Sequence, residues 1–181
     1  MTALAAPDLA SIVQKRLPGV EAKTSENGQP FLFCKPDEVT TLLRFLRDEP
    51  ALRFDALMDL TGFDLLKYPS ATPSDAIAVV WLLWSHQHRH KTTVIVHAPR
   101  AACRVPTSSE IWPAAIYFER EVWDLLGVQF VGHPSLLRIM TPQDWVGHPL
   151  RKDYAYPADY HGIPHLREGQ HFENPPARPA P

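Results

Sequence analysis

A chain of 181 residues with 45% apolar residues is long enough for one domain with a real core, plus a tail. Its formal charge of −2, with His neutral, excludes the broad basic face of a nucleic-acid binder and a polybasic lipid patch. Two cysteines, Cys34 and Cys103, exclude a disulfide framework and the roughly four-thiolate ligand set of an ordinary iron–sulfur cluster.

The N-terminus lacks the basic start and apolar run of a signal peptide. The longest apolar run, residues 76–84, is far short of the ~20 residues that span a bilayer. A cytosolic chain is expected, with any membrane association made through partner proteins.

Residues 8–17 form the first predicted helix. Leu9, Ile12, Val13 and Leu17 share one face, Asp8 is placed to cap the start, and Pro18–Gly19 stop it. Asn27–Gly28 between two extended segments predicts a hairpin whose turn residues both take positive φ. Residues 37–47 predict a second helix, with Val39, Leu42, Leu43 and Leu46 as its buried stripe. Residues 54–66 fit either a helical turn or a strand, and Thr61–Gly62 suggests a break.

The continuous apolar run over residues 76–85 predicts a central strand. Residues 92–97 are its expected partner, and residues 86–91 the polar turn between them. Residues 113–126 give the clearest helix: Ala114, Ala115, Phe118, Val122, Leu125 and Leu126 recur at helical spacing. Pro113 sits in its first turn and Gly127 is its C-terminal cap. After Gly127 the periodicity vanishes. Helix, hairpin, helix and strands in this order predict an α+β domain over residues 1–127, a small mainly antiparallel sheet covered by helices. Ile77, Val79, Val94, Leu42, Leu46, Phe118 and Val122 are expected in its core. Residues 128–160 are expected as an extended, irregular, partner-binding segment with few regular hydrogen bonds, ordering against its partner. Four prolines among residues 174–181 mark residues 161–181 as a tail, disordered or draped on a partner.

Enzyme fingerprints are absent: no Gly-rich dinucleotide loop, phosphate loop, Cys-x-x-Cys or His-Glu-x-x-His occurs. His86, His88 and His90 alternate, which on a strand places three imidazoles on one face and makes a zinc or copper site conceivable. A solvated turn is preferred, because no carboxylate or thiol completes the set. His161 and His165 have helical spacing, but Gly162 and Pro164 argue against a helix there. Gly-His-Pro occurs twice, around His133 and His148. Tight turns with the imidazole bonded to backbone are preferred over a paired metal site.

Glu119, Arg120, Glu121 and Asp124 crowd the last turns of the third helix. Arg120 and Asp124 are i,i+4 partners, yet Asp124 lies where the macrodipole disfavours an anion. Downstream come Arg138, Asp144, Arg151, Lys152 and Asp153, set among Trp, Tyr and Pro. These charges either pair across the irregular segment or with another subunit, or they form an ordinary solvated face.

The run from Glu119 to Pro134, Glu-Arg-Glu-Val-Trp-Asp-Leu-Leu-Gly-Val-Gln-Phe-Val-Gly-His-Pro, resembles the signature of the 30 kDa subunit family of respiratory complex I. Ser135-Leu-Leu-Arg138-Ile-Met and Asp144-Trp-Val-Gly-His-Pro-Leu-Arg-Lys-Asp153-Tyr resemble its second half, in the same order. Ile111-Trp-Pro-Ala-Ala and Phe54-Asp-Ala-Leu-Met-Asp-Leu-Thr-Gly62 also look like this family. Trp123, Leu126 and Ala155 depart from its usual pattern.

The resemblance implies a peripheral-arm subunit, packed on the large 49 kDa quinone-site subunit, on the cytoplasmic side of the inner membrane and attached through the complex. It implies no catalytic residue, cofactor or metal on this chain; FMN and iron–sulfur clusters belong to partner subunits. Such a complex passes electrons from NADH to quinone and pumps protons. The interface residues it suggests are Glu119, Arg120, Glu121, Asp124, His133, Arg138, Asp144, His148, Arg151, Lys152 and Asp153. The equivalent subunit of an energy-converting hydrogenase is the first alternative. A stand-alone histidine metalloenzyme is the second.

Overall fold

The computed structural model describes residues 6–68 and 73–164. Helix α1 spans Ala6–Arg16, so Asp8 lies inside its first turn rather than before it. Strands β1 (Glu21–Thr24) and β2 (Pro30–Cys34) form the expected hairpin. Of the two expected turn residues, only Gly28 takes positive φ, at 75°. Gly28 N–H bonds to Ser25 O at 2.9 Å, and Ser25 N–H to Gln29 O at 2.9 Å. The loop is therefore a longer turn closed by a left-handed glycine, which leaves Asn27 in ordinary conformation.

A short 3₁₀ turn, Pro36–Glu38, leads into α2 (Val39–Asp48), which buries Val39, Leu42, Leu43 and Leu46. Residues 54–66 resolve as a strand, β3 (Ala56–Asp64), paired antiparallel with β4 (Ala76–Ser85). A bulge between Leu57 and Asp59 accounts for the mixed pattern. One extra residue, Met58, puts Leu57 and Leu60 on the same face, so the buried positions 57, 60 and 64 repeat at helical spacing. Gly62 does not break this strand. A Cβ there would stand 2.9 Å from Leu126 Cδ1 and 3.1 Å from Ala78 O, so the glycine lets a helix approach the sheet.

Strand β5 (His90–Pro99) pairs antiparallel with β4 and parallel with β2, giving the order β1-β2-β5-β4-β3. Strand β4, flanked by β5 and β3, is apolar almost throughout because nearly every residue of it is buried. Beyond β5, β6 (Arg104–Pro106) and β7 (Gln129–Val131) pair in parallel, connected through α3 (Ala115–Leu126). Sequence periodicity misses both strands, since three residues carry no readable alternation.

Among the described residues, helices α1, α2 and α3 feed one core, with Leu9, Val13, Leu42, Leu46, Val122 and Leu126 meeting Leu32, Ile77, Val79, Trp81, Val94 and Val96 of the main sheet. Phe118 packs only partly buried at its margin. The result is the expected α+β fold with a mainly antiparallel sheet. Among the described residues, no helix is long and apolar enough to cross a membrane.

Candidate partner-binding site

Past β7 the described chain has almost no ladder hydrogen bonds, apart from a two-residue hairpin of β8 (Asp159–Tyr160) and β9 (Ile163–Pro164). Side chains hold this stretch in place, and most of its anchors lie at the C-terminal end of α3. Gly127 closes that helix at φ 74°, its N–H bonded to Trp123 O at 2.8 Å.

A helix end leaves carbonyls without intrahelical partners. Here the downstream segment supplies them. His148 Nδ1–H donates to Asp124 O at 2.9 Å, and Leu150 N–H to Leu125 O at 3.0 Å. Arg151 Nε–H donates to Leu126 O at 2.7 Å. The Arg151 cation thereby also meets the negative end of the helix dipole.

Asp124 organises a second anchor. Its carboxylate is fully buried and receives the amides of Ile139, Met140 and Thr141 at 3.0, 2.8 and 2.9 Å. The Thr141 hydroxyl and Arg138 Nη1 complete the set at 2.6 and 2.5 Å. Burial pushes the Asp124 carboxyl up, but these bonds from Thr141, Ile139 and Met140 outweigh it and bring it to about 2. The expected Arg120–Asp124 pairing along the helix does not form. Arg120 instead donates to Leu137 O at 2.9 Å and Arg138 O at 3.2 Å, because Asp124 turns inward to five other donors.

Glu119 also points inward, with no exposed surface. It accepts from the Ser108 amide and hydroxyl at 2.6 and 2.7 Å and from the Thr107 hydroxyl at 2.5 Å. Trp81 Nε1–H donates to the same Ser108 hydroxyl at 3.0 Å, which ties the carboxylate into the core. Burial raises the Glu119 carboxyl above its ordinary value despite these bonds.

A third anchor joins the predicted Lys152 and Asp153 to two residues with no sequence signal. Asp64, at the end of β3, accepts the Lys152 amide at 2.7 Å and lies 2.5 Å from Arg100 Nη1. Arg100 also pairs with Asp153. Burial works to raise the Asp64 carboxyl; the Lys152 amide, Arg100 and the Leu66 amide win and hold it low.

The remaining predicted residues divide. His133 bonds through Nε2–H to Ile116 O at 3.0 Å and accepts the Ser135 amide at 3.0 Å, so its imidazole locks a turn. Glu121 is exposed. Asp144 is exposed and accepts from Tyr160 and His161 at 2.8 and 2.7 Å, which lowers its carboxyl. Beside it lies a cleft of about 680 Å³ walled by Trp145, Val146, Gly147, Arg151, Tyr154 and Tyr160.

The alternating histidines each engage the 50–55 loop. His86 meets Asp55 at 2.9 Å, His88 meets Pro50 O at 2.8 Å, and His90 meets Leu52 O at 2.8 Å. No group of three His, Cys, Asp or Glu side chains fit for a metal occurs among the described residues. His161 sits in the β8–β9 turn at φ 53°, and His165 lies outside the described residues.

The family described as "Respiratory-chain NADH dehydrogenase, 30 Kd subunit" matches residues 32–160. The C-type subunit of NADH-quinone oxidoreductase from Roseiflexus castenholzii is 39% identical over 158 residues, covering 87% of this chain and 88% of its own length. A C/D-type protein of the same oxidoreductase from Acidiphilium cryptum is 41% identical over 127 residues, which span 69% of this chain but 22% of that one. Among solved structures, the trypsin-resistant fragment (1-134) of Nqo5 superposes with TM-score 0.63 at 29% identity, covering 71% of this chain and 98% of the fragment. A chain of a membrane-bound sulfane sulfur reductase, an archaeal respiratory membrane complex, shares the fold at TM-score 0.62 and 21% identity, covering 82% of this chain and 84% of that one. The chain belongs to the 30 kDa subunit family of respiratory-chain NADH dehydrogenase.

Proposed function

We propose that this chain is a cofactor-free structural and assembly subunit of the peripheral arm of an NADH–quinone oxidoreductase, whose partners carry electrons from NADH through FMN and iron–sulfur clusters to quinone with proton translocation. Its residues 128–160 dock on the D-type, 49 kDa partner, on the cytoplasmic side of the inner membrane. The observation that carries this reading is how the signature charges are used. Glu119, Asp124, Arg138 and Arg151 all hold chain segments in place. A scaffold needs that arrangement.

Two further observations support it. Curated relatives join C and D in one polypeptide, so the two parts act side by side there. The chain also has only two thiols, Cys34 and Cys103, short of the roughly four that an ordinary cluster takes.

The test separates assembly from turnover. Arg138→Ala removes one of the five donors on the buried Asp124 carboxylate, a charged hydrogen bond of typically about 1.5–3 kcal/mol, and Arg151→Ala strips the α3 carbonyls of a donor. Both variants should lower the amount of assembled complex on a native gel. NADH–quinone activity normalised to flavin should change far less. Full assembly with activity abolished would replace the scaffold reading with a direct catalytic or proton-transfer role.

A further inference from the structure

The turn held by Asp124 is built inside out. Its polar groups face the protein: the amides of Ile139, Met140 and Thr141 all end on the buried carboxylate. Its apolar side chains face water, with Leu137 54%, Ile139 42% and Met140 58% exposed. Arg138 also donates to Gly147 O at 3.1 Å, which ties the turn to the 145–148 stretch.

Apolar side chains on a free loop would fold back onto the core, as the neighbouring Leu136 does. Here three backbone amides are fixed on the Asp124 carboxylate, so Leu137, Ile139 and Met140 stay in water at a standing hydrophobic cost. Exposed apolar groups on a rigid frame mark a protein contact and lose little conformational entropy on binding. The charges beside them are already engaged: Arg138 is largely buried on Asp124, and Arg120 is bonded to Leu137 O and Arg138 O. Arg138 is neutralised by Asp124, which leaves Arg120, bonded to neutral carbonyls, as the charged neighbour of the turn; one cation falls short of the polybasic cluster that anionic lipid attracts, which favours a protein partner over a lipid headgroup layer.

We infer that Leu137, Ile139 and Met140 form a preorganised apolar docking patch that seats in an apolar recess of the D-type partner. The occupant follows from the fused relatives: the D part is carried on the same chain as the C part, so its surface is held close to this domain. The inference rests on the function proposed above and adds how the contact is made. It is side-chain burial, with no strand added and no ion pair required.

The test titrates the full-length chain against the purified D-type subunit. The triple variant Leu137→Ser, Ile139→Ser, Met140→Ser should bind at least about thirty-fold more weakly, in line with loss of a central apolar cluster. The replaced side chains are exposed, so slow exchange of the Ile139, Met140 and Thr141 amides should persist. Wild-type affinity should change less than about threefold between about 50 and about 500 mM KCl, because screening acts on charges. Unchanged binding by the triple variant, or a steep loss with salt, overturns the patch and leaves the scaffold function standing. Failure of the wild-type chain to bind the D-type subunit defeats both. Stronger retention on anionic vesicles than on the D-type subunit would show the patch to be a lipid contact and would also overturn it.

Discussion

Asp124 is one carboxylate with five donors, and its energetics can be stated with a sign. Its carboxyl falls from 3.8 ordinarily to about 2 in the folded chain. A depressed carboxyl contributes stability above its unfolded value and loses it as pH falls toward the folded one. That contribution, about 2 kcal/mol at 1.36 kcal/mol per unit, should vanish between about pH 4 and about pH 2. Asp124→Asn should remove it, flattening the plot of unfolding free energy against pH in that window. Glu119 runs the other way, since burial raises its carboxyl and acidification removes nothing there. Glu119→Ala should cost about 3 kcal/mol by denaturant titration, since it strands the buried Ser108 amide and opens a cavity. Glu119→Gln, which still offers one carbonyl oxygen to Ser108, should cost less. The sequence marks Glu119 and Asp124 as unusual, but helical spacing alone cannot reveal that both turn inward. Their donors lie on Thr107, Ser108 and residues 138–141, and Asp64 and Arg100 carry no local pattern at all.

At the scale of elements, the helices and the apolar central strand are legible because each has an uninterrupted pattern. Strand β3 is not, because its bulge inserts a residue and turns alternation into helical spacing. Gly62 suggests a break in the sequence because glycine punctuates turns, whereas its use in the fold is close contact. A Cβ at that position would press on Leu126, Val122 and the Ala78 carbonyl at 2.9 to 3.2 Å. The carbonyl belongs to the central strand and cannot move aside. Gly62→Ala should therefore destabilise the domain by about 1–3 kcal/mol, read as a lower denaturation midpoint with unchanged slope. A stability equal to wild type would mean that α3 can ride further from the sheet at no cost. Gly127 is equally constrained, for there a Cβ would stand 2.5 Å from Arg151 Nη2 on a backbone at φ 74°.

Over the whole molecule, the core and the segment beyond β7 are held by different physics. The core is apolar packing of helices on the sheet, and its buried carboxylate, Glu119, gains no stability from ionising. The segment is attached at the carbonyls that end α3 and by two carboxylates held low, Asp124 at residues 138–141 and Asp64 at residue 152. Acid should therefore separate them. As pH falls from about 4 toward about 2 the Asp124 anchor protonates, and Asp64, also held low, protonates below its ordinary range. The amides of Ile139, Met140, Thr141 and Lys152 should then shift and broaden in ¹H–¹⁵N spectra while those of Val79 and Val94 keep their native positions. Asp64→Ala should release only one end, exposing the Lys152 amide at neutral pH and leaving the Asp124 turn intact, because the two anchors share no side chain. Simultaneous loss of all these amides in a single acid transition would show that segment and core form one cooperative unit. In that case docking could not be tuned separately from folding, and variants in the segment would lower assembly by unfolding the whole domain rather than by loosening one face of it.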